Sequence, residues 1–472
     1  MSAAALWIYL PIAAGLMLIL TAGNKHFSLV FSMLLTLLLS YTAFSIPVNS
    51  MIVMNKITII FTASGKLLGS AVTIDRADQT LVAFFYIFTF LWIVGSLFIS
   101  EPHPYFLSIA LISTALIIAV IVIKPFVYGI YIMAGCTIIL LPLLISKGGG
   151  NREELFRFIC CQFFGMIFLS FSAKLMTTVD INPQDTYLLK RTVILLFIGL
   201  TLWLAVFPFH SWIVMLIGKS QPFAAGFVIS LLQFSALFIL MQFLSDHTWL
   251  RMYQPLFTGM RVAGILMLDV SALLSLVQTD LRRLIAFFIT AVNGISLLML
   301  GTASHDGIET FISSLPLNMI VWFICAASAQ MLADSHDLSL ASLRGLFRTR
   351  PYLCAAMVLA ILTAGGMPLL AGFPLRMTML SNVFDRSSAL GWAASAGCGL
   401  LVFGGIRLVL VFLSPGVEAE DPGMAALTRR EKAARKAFFI ACVAVLVLLT
   451  VFPSIIDGLV GGINSQYAYI FQ

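Results

Sequence analysis

Fourteen runs of about 20 mostly apolar residues, each closed by a short polar break, organise this chain. They are placed at 3–22, 27–46, 80–100, 104–123, 125–146, 156–176, 190–217, 221–244, 258–279, 283–301, 312–333, 353–383, 387–413 and 437–460. The seventh and twelfth runs are too long for one straight crossing, and both contain helix breakers. Pro208 sits in FPFHSWI (207–213), and Gly366, Pro368, Gly372 and Pro374 sit in GGMPLLAGFP (365–374). Non-helical backbone at bilayer depth is tolerated only inside protein or beside a watery cavity, and paired breaks in two halves mark an ion path. The two interrupted spans are therefore expected to face each other in a protein-lined interior. Residues 55–79 alternate polar and apolar positions around Gly65 and Gly69, which predicts a β-hairpin on an aqueous face.

Composition narrows the class. Apolar residues make up 61% of the 472 and charged residues 10%, against about 25% charge in a soluble domain. Mean hydropathy is +1.05. The chain is an all-α integral membrane protein. Its first run lacks a charged leader region and reads as a retained span. The seven cysteines (136, 160, 161, 325, 354, 398 and 442) fall almost entirely within spans and form no CxxC pair, so neither disulfide nor metal site is expected. Positive loops on one membrane face account for the net charge of +7 without a nucleic-acid partner.

Loops after odd-numbered spans carry fifteen Lys and Arg, and loops after even-numbered spans carry ten. The odd loops are expected to be cytoplasmic, with both termini periplasmic in a bacterial inner membrane. Only Arg376 and Arg407 fall well inside spans. TRREKAARK (428–436) is expected to be a solvated cytoplasmic segment against lipid headgroups or a neighbour. No nucleotide-binding glycine loop, haem motif, iron–sulfur spacing or nucleophile elbow occurs, so no cofactor is expected and electron transfer is left to partner subunits.

Four segments, in order and in register, resemble the antiporter-like membrane subunits of bacterial respiratory complex I. That family includes the large Mrp antiporter subunits and the membrane subunits of energy-converting hydrogenases. GLTLWLAVFPFHSWIVMLIGKSQPFAAGFVIS (199–230) resembles a seventh helix ending in PFHxW and the proline that opens the eighth. LVQTDLRRLIAFFITAVNG (276–294) resembles the turn between helices nine and ten. GGMPLLAGFPLRMTML (365–380) resembles the broken twelfth helix, and GKLLGSAVTIDRADQTLVAFF (65–85) the hairpin before the third. The resemblance implies two inverted five-helix repeats with broken helices 7 and 12 (104–244 and 258–413) in a core at 104–413. Helices 1–3 with the hairpin (1–103) and a basic segment with a last helix (414–472) flank it.

The resemblance also implies a glutamate in helix five, lysines in seven and eight, a histidine in ten, and a lysine or glutamate in twelve. Here those positions hold Thr137, Trp203, Phe234 (beside Gln233) and Val292 (beside Asn293); only a base at twelve survives, as Arg376. Removing one partner of a buried ion pair costs ~3–5 kcal/mol, whereas removing both can be neutral. Coordinated loss of the acid and the lysines therefore predicts a closed first half-channel.

His210 is either a relay or a neutral residue satisfying backbone freed by Pro208. Arg376 is expected to anchor charge rather than relay it, because arginine keeps its proton. Asp269 is either functional or a structural partner of Arg376 or Arg407. Arg282 and Arg283 read as ordinary positive-inside residues, or as a substitute for the family lysine at the cytoplasmic mouth. Arg407 reads as a packing residue.

The function implied is a membrane-arm subunit of a redox-driven proton- or sodium-translocating complex, similar to the N- or M-type subunit, with other membrane subunits as partners. An Mrp-type antiporter, a membrane partner for inorganic-carbon uptake, and a non-conducting scaffold are the alternatives.

Overall fold

The computed structural model describes residues 2–20, 24–54, 57–60, 62–67, 70–99, 102–146, 150–415 and 429–471. Lys56, Gly69, Lys147 and residues 416–428 lie outside them. Among the described residues, eleven helices are long and apolar enough to cross a membrane, and Ala5–Leu20, Phe106–Val122 and Pro351–Gly365 are shorter apolar helices.

A π-helical turn, Ala5–Tyr9, leads into α1 (Leu10–Leu20), and α2 (Lys25–Ser45) follows. Strands β1 (Met51–Met54) and β2 (Ile57–Ile60) form one antiparallel pair; β3 (Ser64–Leu67) and β4 (Ser70–Thr73) form another, extended by β5 (Ile123–Lys124). Next come α3 (Arg76–Ser96), α4 (Phe106–Val122), α5 (Val127–Leu144), α6 (Arg152–Ile181), α7 (Thr186–Trp203), α8 (Ser211–Lys219) and α9 (Pro222–Asp246). After the short α10 (Thr248–Met252) come α11 (Gln254–Val277), α12 (Leu281–Gly301) and α13 (His305–Ala333). The short α14 (Leu346–Thr349) precedes α15 (Pro351–Gly365), α16 (Gly372–Arg386), α17 (Ser388–Leu413), α18 (Arg429–Val451) and α19 (Ser454–Tyr467).

The same packing recurs twice. α4 packs on α5, α5 on α6 and α6 on α7, as α11 packs on α12, α12 on α13 and α13 on α15. α9 closes the first set against α4, α7 and α8, as α17 closes the second against α11, α15 and α16. Each set makes five crossings, an odd number, so the second repeat enters the membrane from the side opposite to the first. The apolar 18-residue stretches of α9 and α12 are wholly buried and that of α13 almost so; they form the axis of the bundle.

Both interruptions are present, but they do not face each other. α7 and α8 pack on α6, α9 and α12, while α15 and α16 pack on α12, α13 and α17, so α12 stands between them. The tips point outward: Phe207 and Phe209 are each 42% exposed and Leu369 is 91% exposed. Each break also holds a non-glycine residue in the left-handed region, Ala205 (φ 55°) and Leu369 (φ 71°), a conformation that costs ~1–3 kcal/mol. Local bonds satisfy the freed backbone. Val206 N–H donates to the Thr201 carbonyl (2.9 Å) and Phe209 N–H to Val206 (2.7 Å), so an enclosing protein wall is not needed there.

Both ends of the chain lie on one face. Ala3 N–H donates to the Thr62 carbonyl beside the hairpins (2.9 Å), and Gln466 Nε2 donates to Asp78 Oδ1 at the start of α3 (2.8 Å). The basic run after Thr428 is exposed or half-exposed, and its helix runs on into the next crossing. Arg429–Lys436 form the first turns of α18, continuous with the crossing, because no glycine or proline separates charged from apolar residues.

Candidate functional site

In the first repeat the expected lysine sites form a neutral axis. Trp203, 2% exposed, ends α7; its indole Nε1 donates to the Gln162 carbonyl of α6 at 2.9 Å. The Trp203 carbonyl accepts from Gln233 Nε2 of α9 at 2.9 Å, and Gln233 Oε1 accepts from Asn293 Nδ2 of α12 at 2.9 Å. Gly165 makes the room, since a Cβ there would collide with the indole. Phe234 stacks on Trp322 (4.8 Å, 13°) with its edge region against Phe84 and Phe88. Thr137 Oγ1 donates to the Met133 carbonyl of its own helix (3.0 Å), and Val292 is buried. Amides and indoles exchange hydrogen bonds but do not take up or release protons near neutral pH.

His210 stands at the rim of the first break. Its ring stacks on Phe207 (5.3 Å) and approaches Phe287 of α12 (6.1 Å), and no ion pair reaches it among the described residues.

In the second repeat Arg376 is 2% exposed and donates from Nε and Nη2 to one carbonyl, Ala364, at 3.2 and 2.9 Å. That carbonyl lies in the last turn of α15, where the break removes the usual helical donor. Gly366 follows with φ 78°, and the Arg376 stem fills the space a Cβ would need. Arg376 thus ties α16 back onto α15.

Asp269 pairs with neither arginine. Arg376 is committed to Ala364, and Arg407 donates to the Ser275 (3.3 Å) and Gln278 (2.8 Å) carbonyls at the C-terminus of α11, where a cation is favoured. The Asp269 face of α11 turns instead to α17, and its Oδ1 lies against Gly397, buried and without a hydrogen-bond partner among the described residues. Cys398, the next residue of α17, is within charge-interaction range of both Asp269 and Arg376.

Arg282 and Arg283 converge on the end of α8. Arg282 Nη1 donates to the Gly218 carbonyl (3.3 Å), and the Arg283 stem and Nε lie beside Gly218. Asp280 caps α12 by accepting from the Arg282 N–H at 2.7 Å. Next to them Lys219 Nζ meets Glu154 Oε1 at 2.7 Å, with the Glu154 side chain only 9% exposed. Sequence reasoning missed Glu154 because it began the sixth span at 156, whereas α6 starts at Arg152. The acidic pair Glu153–Glu154 after Asn151 was the available signal for that start. Lys219→Met is expected to lower unfolding stability by ~1–2 kcal/mol, since Lys219 is half in solvent but Glu154 is not. Adding Glu154→Gln should recover most of it in thermal melts of solubilised protein; a double variant no more stable than the single would contradict the pairing.

The transmembrane model described as NADH:quinone oxidoreductase/Mrp antiporter matches residues 160–402, a range that includes both breaks. NADH-quinone oxidoreductase subunit N of Chromohalobacter salexigens is 26% identical over 273 residues, 55% of each chain. In such matches the chain spans about half the length of its curated relatives. The fold superposes on a chain of the Mrp complex from Dietzia sp. DQ12-45-1b with a TM-score of 0.80 at 13% identity, covering 99% of this chain and 98% of that one. It superposes on a chain of respiratory complex I from Thermus thermophilus with a TM-score of 0.75 at 18% identity, covering 99% and 100%. The two interrupted crossings, the repeated packing and the family match agree: this chain belongs to the transmembrane family of NADH:quinone oxidoreductase and Mrp antiporter subunits.

Proposed function

We propose that this chain is a membrane-arm subunit of a multi-subunit, redox-coupled proton-translocating complex, and that its first repeat carries no protons. The hydrogen-bonded axis Gln162–Trp203–Gln233–Asn293 carries the reading, because it occupies the lysine region with groups that do not titrate. Its working half is the second repeat, where half-buried Asp269 turns a buried Oδ1 inward without a hydrogen-bond partner among the described residues, and Arg376 sets the local field. Electron transfer belongs to other subunits. The excess of Lys and Arg on the odd loops supports a cytoplasmic placement of that face in a bacterial inner membrane, with both termini periplasmic. Relatives named as respiratory subunits, and a fold shared with chains of multi-subunit complexes, support other membrane subunits as partners.

The test is proton pumping by the reconstituted complex. Asp269→Asn should lower pumping roughly tenfold or more with assembly intact, as expected for loss of a proton-transfer group. Thr137→Val should leave pumping unchanged. Unaltered pumping in Asp269→Asn would make the chain a scaffold and overturn the assignment of a working half.

A further inference from the structure

On the face opposite the hairpins, α15 and α18 begin side by side. Between their first turns lies a cavity of about 440 Å³ bordered by Arg348, Lys432, Arg435 and Lys436, with Leu353 and Phe439 as an apolar floor. Lys436 Nζ is held at the rim, 4.6 Å from the centre of the Tyr352 ring. Arg350 also borders the cavity, but its guanidinium donates to the Met331 carbonyl (3.1 Å) and Ser335 Oγ (2.7 Å) and so fixes the wall. Asp334, after α13, and Glu431, one turn before Arg435 on α18, offset the Arg435 charge, and Asp334 accepts from Gln330 Nε2 at 2.9 Å. Five cations against these two acids leave the cavity positive. The N–H groups of Tyr352 and Leu353, in the first turn of α15, lack helical acceptors and add to that potential.

A positive cradle over an apolar floor, at the level where crossing helices begin, matches a phosphodiester carried on hydrocarbon. We propose that this cavity binds a phosphate-bearing anion, with the headgroup of an anionic phospholipid among the cations and its chain along Phe439. The volume suits one headgroup rather than a protein segment.

The experiment uses the full chain purified in neutral detergent, with retained lipid read by native mass spectrometry. The probes are phosphatidylglycerol, phosphatidylcholine and inorganic phosphate. The wild-type chain should retain phosphatidylglycerol over phosphatidylcholine roughly tenfold or more. Arg348→Ala/Lys432→Ala/Lys436→Ala removes side chains that are exposed or half-exposed, so its melting temperature should match wild type while the preference disappears. Lys174→Ala/Lys190→Ala/Arg191→Ala removes the same charge from exposed positions on the other face and should keep the preference. Displacement by millimolar inorganic phosphate would identify free phosphate as an occupant of the same cradle. Retention against phosphate would identify the lipid. Undiminished preference in the first triple variant, or equal loss in the second, would overturn the site.

Discussion

Trp203→Ala should lower unfolding stability of the solubilised chain by ~3–5 kcal/mol, the range for deleting a large buried aromatic. Three losses act together. The void opens beside Gly165, whose missing side chain already defines one wall and cannot refill the space. The Gln162 carbonyl loses its 2.9 Å donor inside the bundle. The end of α7 loosens just where the Trp203 carbonyl holds Gln233. Trp203→Phe keeps most of the volume and removes only the hydrogen bond, so its cost should fall to ~1–3 kcal/mol. Thermal and denaturant unfolding in one detergent check both values. A loss below ~1 kcal/mol for the alanine variant would mean that the axis is not a packed structural element.

Gly366→Ala should cost ~2–5 kcal/mol, falling to the ~1–2 kcal/mol of backbone strain in an Arg376→Ala background. Alone, the new methyl forces a left-handed alanine, worth ~1–2 kcal/mol, and also pushes aside the arginine stem that occupies the same space. Displacing that stem strips the Ala364 carbonyl of its donors and adds ~1–3 kcal/mol. With Arg376 already truncated, the backbone strain and a tight approach to the remaining Cβ are left. A double-mutant cycle should therefore give a coupling of ~1 kcal/mol or more. Equal costs in the two backgrounds would mean that Gly366 serves the turn alone and not the seating of Arg376.

What the sequence made legible was local. Pro208, Gly366 and Pro368 act on their own backbone and lie in the gaps between helical segments, whereas Gly372 opens α16 and lets it approach the Thr363 carbonyl of α15. The alternation after residue 55 likewise ends in paired strands, although β1 begins earlier and β5 arrives from the far end of α4. Matters decided by which helix faces meet were not legible. Asp269 looked like a partner for either buried arginine, but the turn of α11 aims it at α17, and both arginines find carbonyls instead. The interrupted spans were expected to meet; α12 intervenes because its apolar surface packs all round. Gln162, Gln233 and Asn293 come from three helices, and no periodicity within one helix announces their alignment. The Glu154–Lys219 pair joins α6 to the end of α8 and was hidden for the same reason.

The enclosure of α9 bears on how the molecule is assembled. A helix whose apolar stretch has no outward surface in the finished bundle still has to leave the insertion machinery sideways into lipid before α12 and α13, two of its neighbours, exist. That passage accounts for its mean hydropathy of 2.2, as high as that of Ser388–Leu413, which keeps an outer side. While waiting for α12, Gln233 keeps its bond to the Trp203 carbonyl but its Oε1 has no Asn293 to accept from, at a cost of ~1–3 kcal/mol. Release of that cost favours early docking of the second repeat onto the first during synthesis.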